Sequence, residues 1–417
     1  MAAETLRITF TGRDGPGITA AITAVLAAKG AQLFDVEQVV VQGFLTLGFA
    51  VGFAGKAEEE DALKELLFVA RKQGLQMEYA APLDTRTIAL QRFALTAIAP
   101  SLGTFALRDI ATTLAAHGAN IERIHRLSEA GLACVELALS LPTAADSGAL
   151  KRALLAVAGA GAFDVALQEE SLLRRSKRLV VMDMDSTLIQ IEVIDELARE
   201  YGVGEQVAAI TRRAMQGELD YDQSLRERVA LLRGMDVSVL DRLAATLPLT
   251  DGAEVLLRVL KRLGYRTAVI SGGFSVAAQA LRERLGIDFA WSNTLEVEGG
   301  KLTGRVVGPI VNAERKAELL EEVALREGIP LDQVIAIGDG ANDLLMLQKA
   351  GHGIAFHAKP KLREAADTAI SGAGLDAILY LLGIGWRDIA SLEKLDPELG
   401  SLNAARRSRS DPPPRHG

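Results

Sequence analysis

The sequence predicts an α/β protein: a doubly wound parallel sheet with an inserted helical cap, preceded by two ferredoxin-like βαββαβ domains. Three observations carry this. A segment near the start recurs, LAAKGAQL at 26–33 and LAAHGANI at 114–121, and the pattern around it recurs too. From Lys177 on, apolar strands end in carboxylates or glycines and are followed by amphipathic helices. Between the first of those strands and the rest, residues 190–246 read almost wholly helical.

Each repeat begins with an apolar strand, LRITF and then RFALTAI, leading to a helix over 17–29 or 104–117. Gly30 and Gly118 end those helices, as a left-handed cap requires. Alternating, β-branched runs predict strands at 33–41 and 45–53, then 120–127 and 132–140. Helices at 58–73 and 146–158 and strands at 75–80 and 162–168 close the two units, giving the order βαββαβ twice. RLVVMDMD then reads as a strand buried on both faces of a parallel sheet. After Asp251, helix 252–263, strand YRTAVIS, helix 274–285, strand DQVIAIGDG and helix 342–350 alternate as in a doubly wound sheet. NTLEVEGGKLTGRVV reads as a hairpin turning at Gly299-Gly300. The expected division is 1–84, 85–172 and 173–396, with the cap at about 190–248 and a Pro- and Arg-rich, disordered tail over 397–417.

In open α/β sheets the ligand site lies beyond the carboxyl ends of the strands. There the sequence places Asp183-Met184-Asp185-Ser186-Thr187, then Ser271-Gly272-Gly273, then Gly338-Asp339-Gly340-Ala341-Asn342-Asp343, with Lys316 opening the helix before the last strand. This set suits phosphoryl transfer with magnesium, a cation that prefers carboxylate, phosphate and water oxygens. Asp183 and Asp339 can supply carboxylates, and Asp183 can attack phosphorus to form an aspartyl-phosphate. Asp185 can protonate the leaving alkoxide and then take a proton from the hydrolytic water. Ser271 and the amides of Gly272 and Gly273 can donate to phosphate oxygens, Lys316 can neutralise charge, and Asp343 can hold Lys316 or a metal-bound water. Taken singly, each feature has a plainer reading: DxD as a helix cap, SGG and GDG as turns, Lys316 as a surface lysine. Their joint occurrence, each at its own strand end, favours catalysis.

DMDST resembles the DxDx[TV] nucleophile motif of the haloacid dehalogenase-like phosphatases. MDMDSTLIQIEVIDELA, QSLRERVALL, VISGGF and AIGDGANDLLML together look like the phosphoserine phosphatases within that superfamily, over about 178–382. The resemblance implies Asp183 as nucleophile, Asp185 as acid/base, and magnesium held by Asp183, the Asp185 carbonyl and Asp339. It also implies phosphate contacts from Ser271, Gly272 and Lys316, with Asn342 near the reacting group. Glu192 and Arg228, at the positions that bind the ammonium and carboxylate of O-phospho-L-serine in that family, are otherwise ordinary solvated helix charges. Met215 reads as pocket wall or cap core.

The N-terminal repeats resemble ACT domains, which implies L-serine or another amino acid as effector and a homodimer. Gly12-Arg13-Asp14-Gly15-Pro16-Gly17 matches the ligand loop of that family, whereas the second copy reads APSLGTF and lacks it. Two rivals stand beside this reading: a related phosphatase or phosphotransferase for another small phosphomonoester, and an amino-acid sensor with an idle phosphatase scaffold.

Composition limits the alternatives. Lys and Arg number 46 against 54 Asp and Glu, a net charge of −8, which leaves no basic excess for nucleic acid. The single cysteine, Cys134, excludes an intramolecular disulfide and reads as a buried thiol in ACVELAL. The five histidines lack the HExxH spacing of a zinc protease. No apolar run reaches the roughly 18 residues of a membrane span, and MAAETLRITF lacks the form of a secretory signal, so a cytoplasmic protein is expected.

Overall fold

The computed structural model describes residues 5–81, 89–128, 132–161 and 163–410, side chains of 405–410 excepted, in two compact units, Met1–Ile88 and Ala89–Gly417. The expected boundary at 84/85 lies outside the described residues.

In the first unit, β1 (Thr5–Arg13), β2 (Gln32–Val41), β3 (Phe44–Gly52) and β4 (Leu75–Ala80) form an antiparallel sheet of order β2-β3-β1-β4. Alternation puts Leu6, Ile8 and Phe10 of β1 and Leu45, Leu47, Phe49 and Val51 of β3 on one buried face. Helices Ile18–Ala28 and Lys56–Lys72 cover it with Ile22, Val25, Leu26, Leu63 and Leu66. Gly30, at φ 62°, turns the chain out of the first helix. The edge strand β2 is exposed along its whole length.

The second unit opens with the second repeat: β5 (Leu90–Ala99), β6 (Asn120–Arg126), β7 (Ala133–Pro142) and β8 (Asp164–Glu169), with helices Thr104–Ala116 and Ser147–Gly161. Its order, β8-β5-β7-β6, repeats β4-β1-β3-β2 strand for strand. Then come β9 (Leu179–Met182), β10 (Arg266–Phe274), β11 (Phe289–Glu298), β12 (Lys301–Val307), β13 (Val334–Gly338), β14 (His352–Phe356) and β15 (Thr368–Ile370). Strands β11-β10-β9-β13-β14-β15 run parallel, and β12 returns antiparallel on β11 as the expected hairpin. All four β9 residues are buried, as a central parallel strand requires. Helices Val193–Tyr201, Gly204–Met215, Tyr221–Ala230 and Val237–Ala245 make up the helical insertion after β9.

Two features go beyond the sequence reading. The sheet does not stop at β15: Thr368 pairs with Ala166 of β8, so the second repeat and the parallel sheet form one sheet of 11 strands. On the repeat's face away from its helices, Ile98, Cys134 and Ala166 join the core that holds Ile378, Leu381, Leu382 and Ile389. Burial there pushes the Cys134 thiol far up, which suits an inert packing residue.

The second feature corrects the expected tail. Helix Trp386–Leu395 is followed by helix Pro397–Ser410, so the chain is ordered beyond residue 397. Leu399 is fully buried, and Asp396 accepts hydrogen bonds from the Leu399 amide (3.3 Å), Arg258 (2.8 Å) and Arg262 (2.9 Å). The Pro-rich composition belongs to residues 411–417, which lie outside the described residues.

Candidate active site

Asp183 sits at the end of β9, where flanking strands β10 and β13 pin the backbone; its amide donates to Ile337 O at 2.9 Å. The carboxylate accepts from the Met184 amide (2.7 Å) and faces Lys316 Nζ at 2.8 Å. Lys316, fully buried, bridges on to Asp343 Oδ1 at 2.7 Å. The other Asp343 oxygen accepts from the amides of Asp339 (3.2 Å) and Gly340 (3.0 Å), which fixes the turn after β13. Thr187 Oγ1 donates to Asp339 Oδ1 at 3.4 Å.

Carboxylate oxygens of Asp183, Asp339 and Asp343 all lie within 4.8 Å of one another. One ammonium faces three acids, and the electrostatics record the excess. Burial, then Asp343, push Asp183 up to about 8 against the pull of Lys316. Burial, Asp343 and Glu192 push Asp339 up to about 6. Lys316 is held above its usual range: burial opposes its charge, but Asp183 and Asp343 outweigh that. Such a site has room in its charge balance for a divalent cation with hard oxygen ligands.

Asp185 stands on an irregular turn, Met184–Leu188, in which Ser186 takes a left-handed φ of 57°. Asp185 Oδ1 accepts from the Val193 amide at 3.2 Å, and Ser186 Oγ donates to Glu192 Oε1 at 2.9 Å. The turn thereby ties the segment after Asp183 to the first helix of the insertion. Burial, then Glu192 and Asp183, hold Asp185 well above the usual carboxylate range, although part of its surface stays open. A Cβ at Gly273 would collide with Asp185 Oδ2, so glycine there makes room for the acid.

Ser271, fully buried at the end of β10, accepts from the Gly273 amide at 2.9 Å. Gly272 O receives Asn293 Nδ2 at 2.8 Å and the Tyr221 hydroxyl at 3.3 Å. A Cβ on Gly272 would fall on that hydroxyl. Burial pushes the Tyr221 phenol up to about 12. Tyr221 begins the helix that carries Arg228, which is half-buried and donates to Ser224 O at 3.3 Å. Glu192 is exposed and Asn342 half-buried on the turn before Asp343.

Asp183, Lys316, Asp339 and Asp343 thus meet directly, with Asp185 beside Gly273 and Ser271. Met215, 68% exposed, is not cap core. Two residues escaped the sequence reading, Tyr221 and Asn293. Tyr221 follows the Asp220 cap at a helix start, and only its helix was legible. Asn293 looked like the first residue of a hairpin, yet it is buried and also accepts from the Val311 amide at 2.9 Å.

Comparison with known proteins adds to this geometry. Residues 177–351 match the haloacid dehalogenase-like hydrolase family model, and residues 4–80 and 95–168 each match an ACT domain model. A phosphoserine phosphatase of Streptomyces coelicolor is 45% identical over 397 residues, covering 95% of this chain and 96% of that protein. Phosphoserine phosphatase SerB2 of Mycobacterium tuberculosis is 43% identical, covering 95% and 97%. Among solved structures, a probable phosphoserine phosphatase from Vibrio cholerae, unliganded, superposes with a TM-score of 0.56 at 35% identity, covering 72% of this chain and 88% of that one. Among the described residues, no helix is long and apolar enough to cross a membrane.

Proposed function

The chain belongs to the phosphoserine phosphatases, haloacid dehalogenase-like hydrolases that here carry two ACT domains, and from that premise we propose that it hydrolyses O-phospho-L-serine to L-serine and phosphate. The observation that carries the proposal is the buried Asp183–Lys316–Asp343 array at the strand ends.

The phosphate settles against the Ser271 hydroxyl, the Gly272 amide and Lys316, whose ammonium balances its charge. Asp183 attacks phosphorus, the P–O bond to the seryl oxygen breaks, and Asp185 gives that oxygen its proton. The raised affinity of Asp185 for a proton suits it to begin as the acid. Asp185 then takes a proton from a water molecule, whose oxygen attacks the aspartyl-phosphate and frees Asp183 and phosphate. A magnesium ion held by Asp183, the Asp185 carbonyl and Asp339 would supply charge neutralisation between carboxylate and phosphate. Glu192 and Arg228 face the substrate ammonium and carboxylate, and Asn342 supports the phosphate.

The same reading makes this the last step of serine biosynthesis in the cytoplasm, in a homodimer regulated by L-serine or another amino acid at the ACT domains. Leu33, Phe34, Val36, Val39, Val40 and Val41 exposed along β2 support a pairing surface.

Phosphate release from L-phosphoserine, with and without magnesium, tests the proposal, with Asp183→Asn as control. Metal-dependent turnover that the variant loses is expected. Turnover of a generic aryl phosphate but not of phosphoserine would overturn the substrate and keep the chemistry. Glu192→Gln and Arg228→Ala are expected to raise KM for phosphoserine while leaving the aryl phosphate unchanged. Equal losses on both substrates would remove their role in specificity.

A further inference from the structure

Asp164 opens β8, in the second repeat, and is buried. Its carboxylate accepts two backbone amides from the loop after β15, Ser371 N at 2.8 Å and Gly372 N at 3.1 Å. A buried acid that collects two amides of another segment fixes that segment. One residue on, Ala373 O accepts from His357 Nε2 at 2.9 Å, which places the ring proton on that nitrogen. His357, although exposed, is fixed at several points. Its amide donates to Ile370 O at 2.7 Å, its ring stacks on Phe356 with centroids 4.1 Å apart, and its φ of 47° lies in the left-handed region that few side chains occupy. Two residues further, the Lys359 amide donates to Asp339 O at 3.2 Å, and the Lys359 charge pulls the Asp339 carboxyl down against its burial.

A short run of hydrogen bonds therefore leads from the second repeat to one acid of the carboxylate cluster. We propose that Asp164 and His357 are positioning residues for Asp339, holding the 357–359 segment on which the Asp339 backbone rests. The inference depends on the reading of Asp339 as a metal-holding carboxylate. It gives the second repeat a part in preparing the metal site, although that repeat lacks the Asp-Gly-Pro-Gly element of the first.

The test is manganese binding by the full-length protein without substrate, followed by electron paramagnetic resonance, together with the magnesium dependence of turnover. Outer partners of metal ligands are worth about 10-fold or more in affinity. Asp164→Ala and His357→Ala are each expected to weaken manganese binding by about 10-fold and to raise the half-saturating magnesium to match. KM for phosphoserine at saturating metal should stay within about twofold. His357→Gln, which keeps a side-chain N–H for Ala373 O, is expected to recover most of the affinity. Glu170→Gln, which weakens the Glu170–Arg174 pair (3.0 Å) beside the second repeat, is expected to bind manganese as the parent does. Parent-like binding by both Asp164→Ala and His357→Ala overturns the inference, as does an equal loss in Glu170→Gln. If Asp164→Ala does not fold, the two His357 variants decide alone. Asp339→Asn separates the levels: parent-like manganese binding there would sink the metal reading itself, whereas loss there with parent-like Asp164 and His357 variants would sink only the positioning role.

Discussion

The two N-terminal repeats share strand order and helix signature, yet they bury their sheets differently. In the first, β1 alternates strictly: Leu6, Ile8 and Phe10 point into the core, while Arg7 is exposed and Thr9 and Thr11 are half-buried. In the second, β5 is buried from Phe93 to Ala99 on both faces. Leu95 and Ala97 lie under the repeat's own helices, and Ile98 packs into the core of the parallel sheet. The first copy keeps the Gly12–Gly17 loop and a sheet of its own; the second has lost that loop, and its sheet has become part of the catalytic one. The difference teaches that an apolar outer face lets a repeated module join a neighbouring sheet without changing its own topology.

If that is right, damage to the second repeat reaches the catalytic body and damage to the first does not. The largest effect is expected at Arg174, whose side chain is 1% exposed and is paired with Glu136 and with Glu170 at 3.0 Å. Arg174→Ala removes a buried guanidinium and leaves Glu136 to the looser, exposed Arg175 contact at 3.5 Å, and should cost about 3 kcal/mol. Calorimetry with activity followed in parallel should show the transition that carries activity falling by several degrees. An unchanged transition would mean that this seam contributes nothing to the catalytic unit.

The repeated LAA segments offer a matched pair. Leu26 and Leu114 occupy the same place in the two copies, and both are buried. Leu→Ala at either should cost about 3 kcal/mol, the usual price of a core cavity. Leu114→Ala is expected to shorten the lifetime of activity on heating. Leu26→Ala is expected to leave that lifetime unchanged while exposing residues 5–81 to limited proteolysis. Equal loss of activity in both variants would break the comparison.

Much of this was legible in the sequence. The βαββαβ order followed from alternation and glycine caps, and the strand-end carboxylates followed from the parallel-sheet rule. The fusion also has a sign in the sequence, since FALTAIA in β5 is apolar but for Thr96, a run of the kind that marks burial on both faces, beside an alternating LRITF in β1. Strands β14 and β15 were not legible, because HGIAF and TAI are too short for any period to show. Tyr221 and Asn293 were hidden for another reason. Each acts on the carbonyl of Gly272, from a helix start and from a hairpin strand, and only the folded chain brings them there.

A pH test sharpens the same contrast. His352 is buried on β14, with Thr368 Oγ1 at 3.0 Å and Gln168 Nε2 of the second repeat at 3.3 Å. Burial outweighs the attraction of Asp367, and Lys177, Lys151 and Arg174 add to it, so the ring is pulled down to about 4. The folded state thus binds its proton less readily than the unfolded chain, whose histidines titrate near 6.5. Stability from this residue is complete above that pH and is lost as the pH falls from about 6.5 to about 4, amounting to about 3 kcal/mol. Residues 1–88 contain no histidine. His352→Gln is therefore expected to flatten the acid limb of the activity-bearing transition across that window and leave the other transition as it was; an unaltered limb would remove His352 from the account.

The smallest effect is expected in the first unit. Lys29 Nζ lies 2.5 Å from Asp61 and 3.1 Å from Glu65, joining the cap of the first helix to the second helix. Both acids are well exposed, so water and salt screen the attraction and ordering the long side chains offsets it. Lys29→Ala should therefore leave both thermal transitions within error at physiological salt, even though its distances are as short as those at Arg174. A loss comparable to that of Arg174→Ala would show that exposure, rather than distance, is the wrong guide here, and that the first unit depends on surface charge where the second depends on its buried seam.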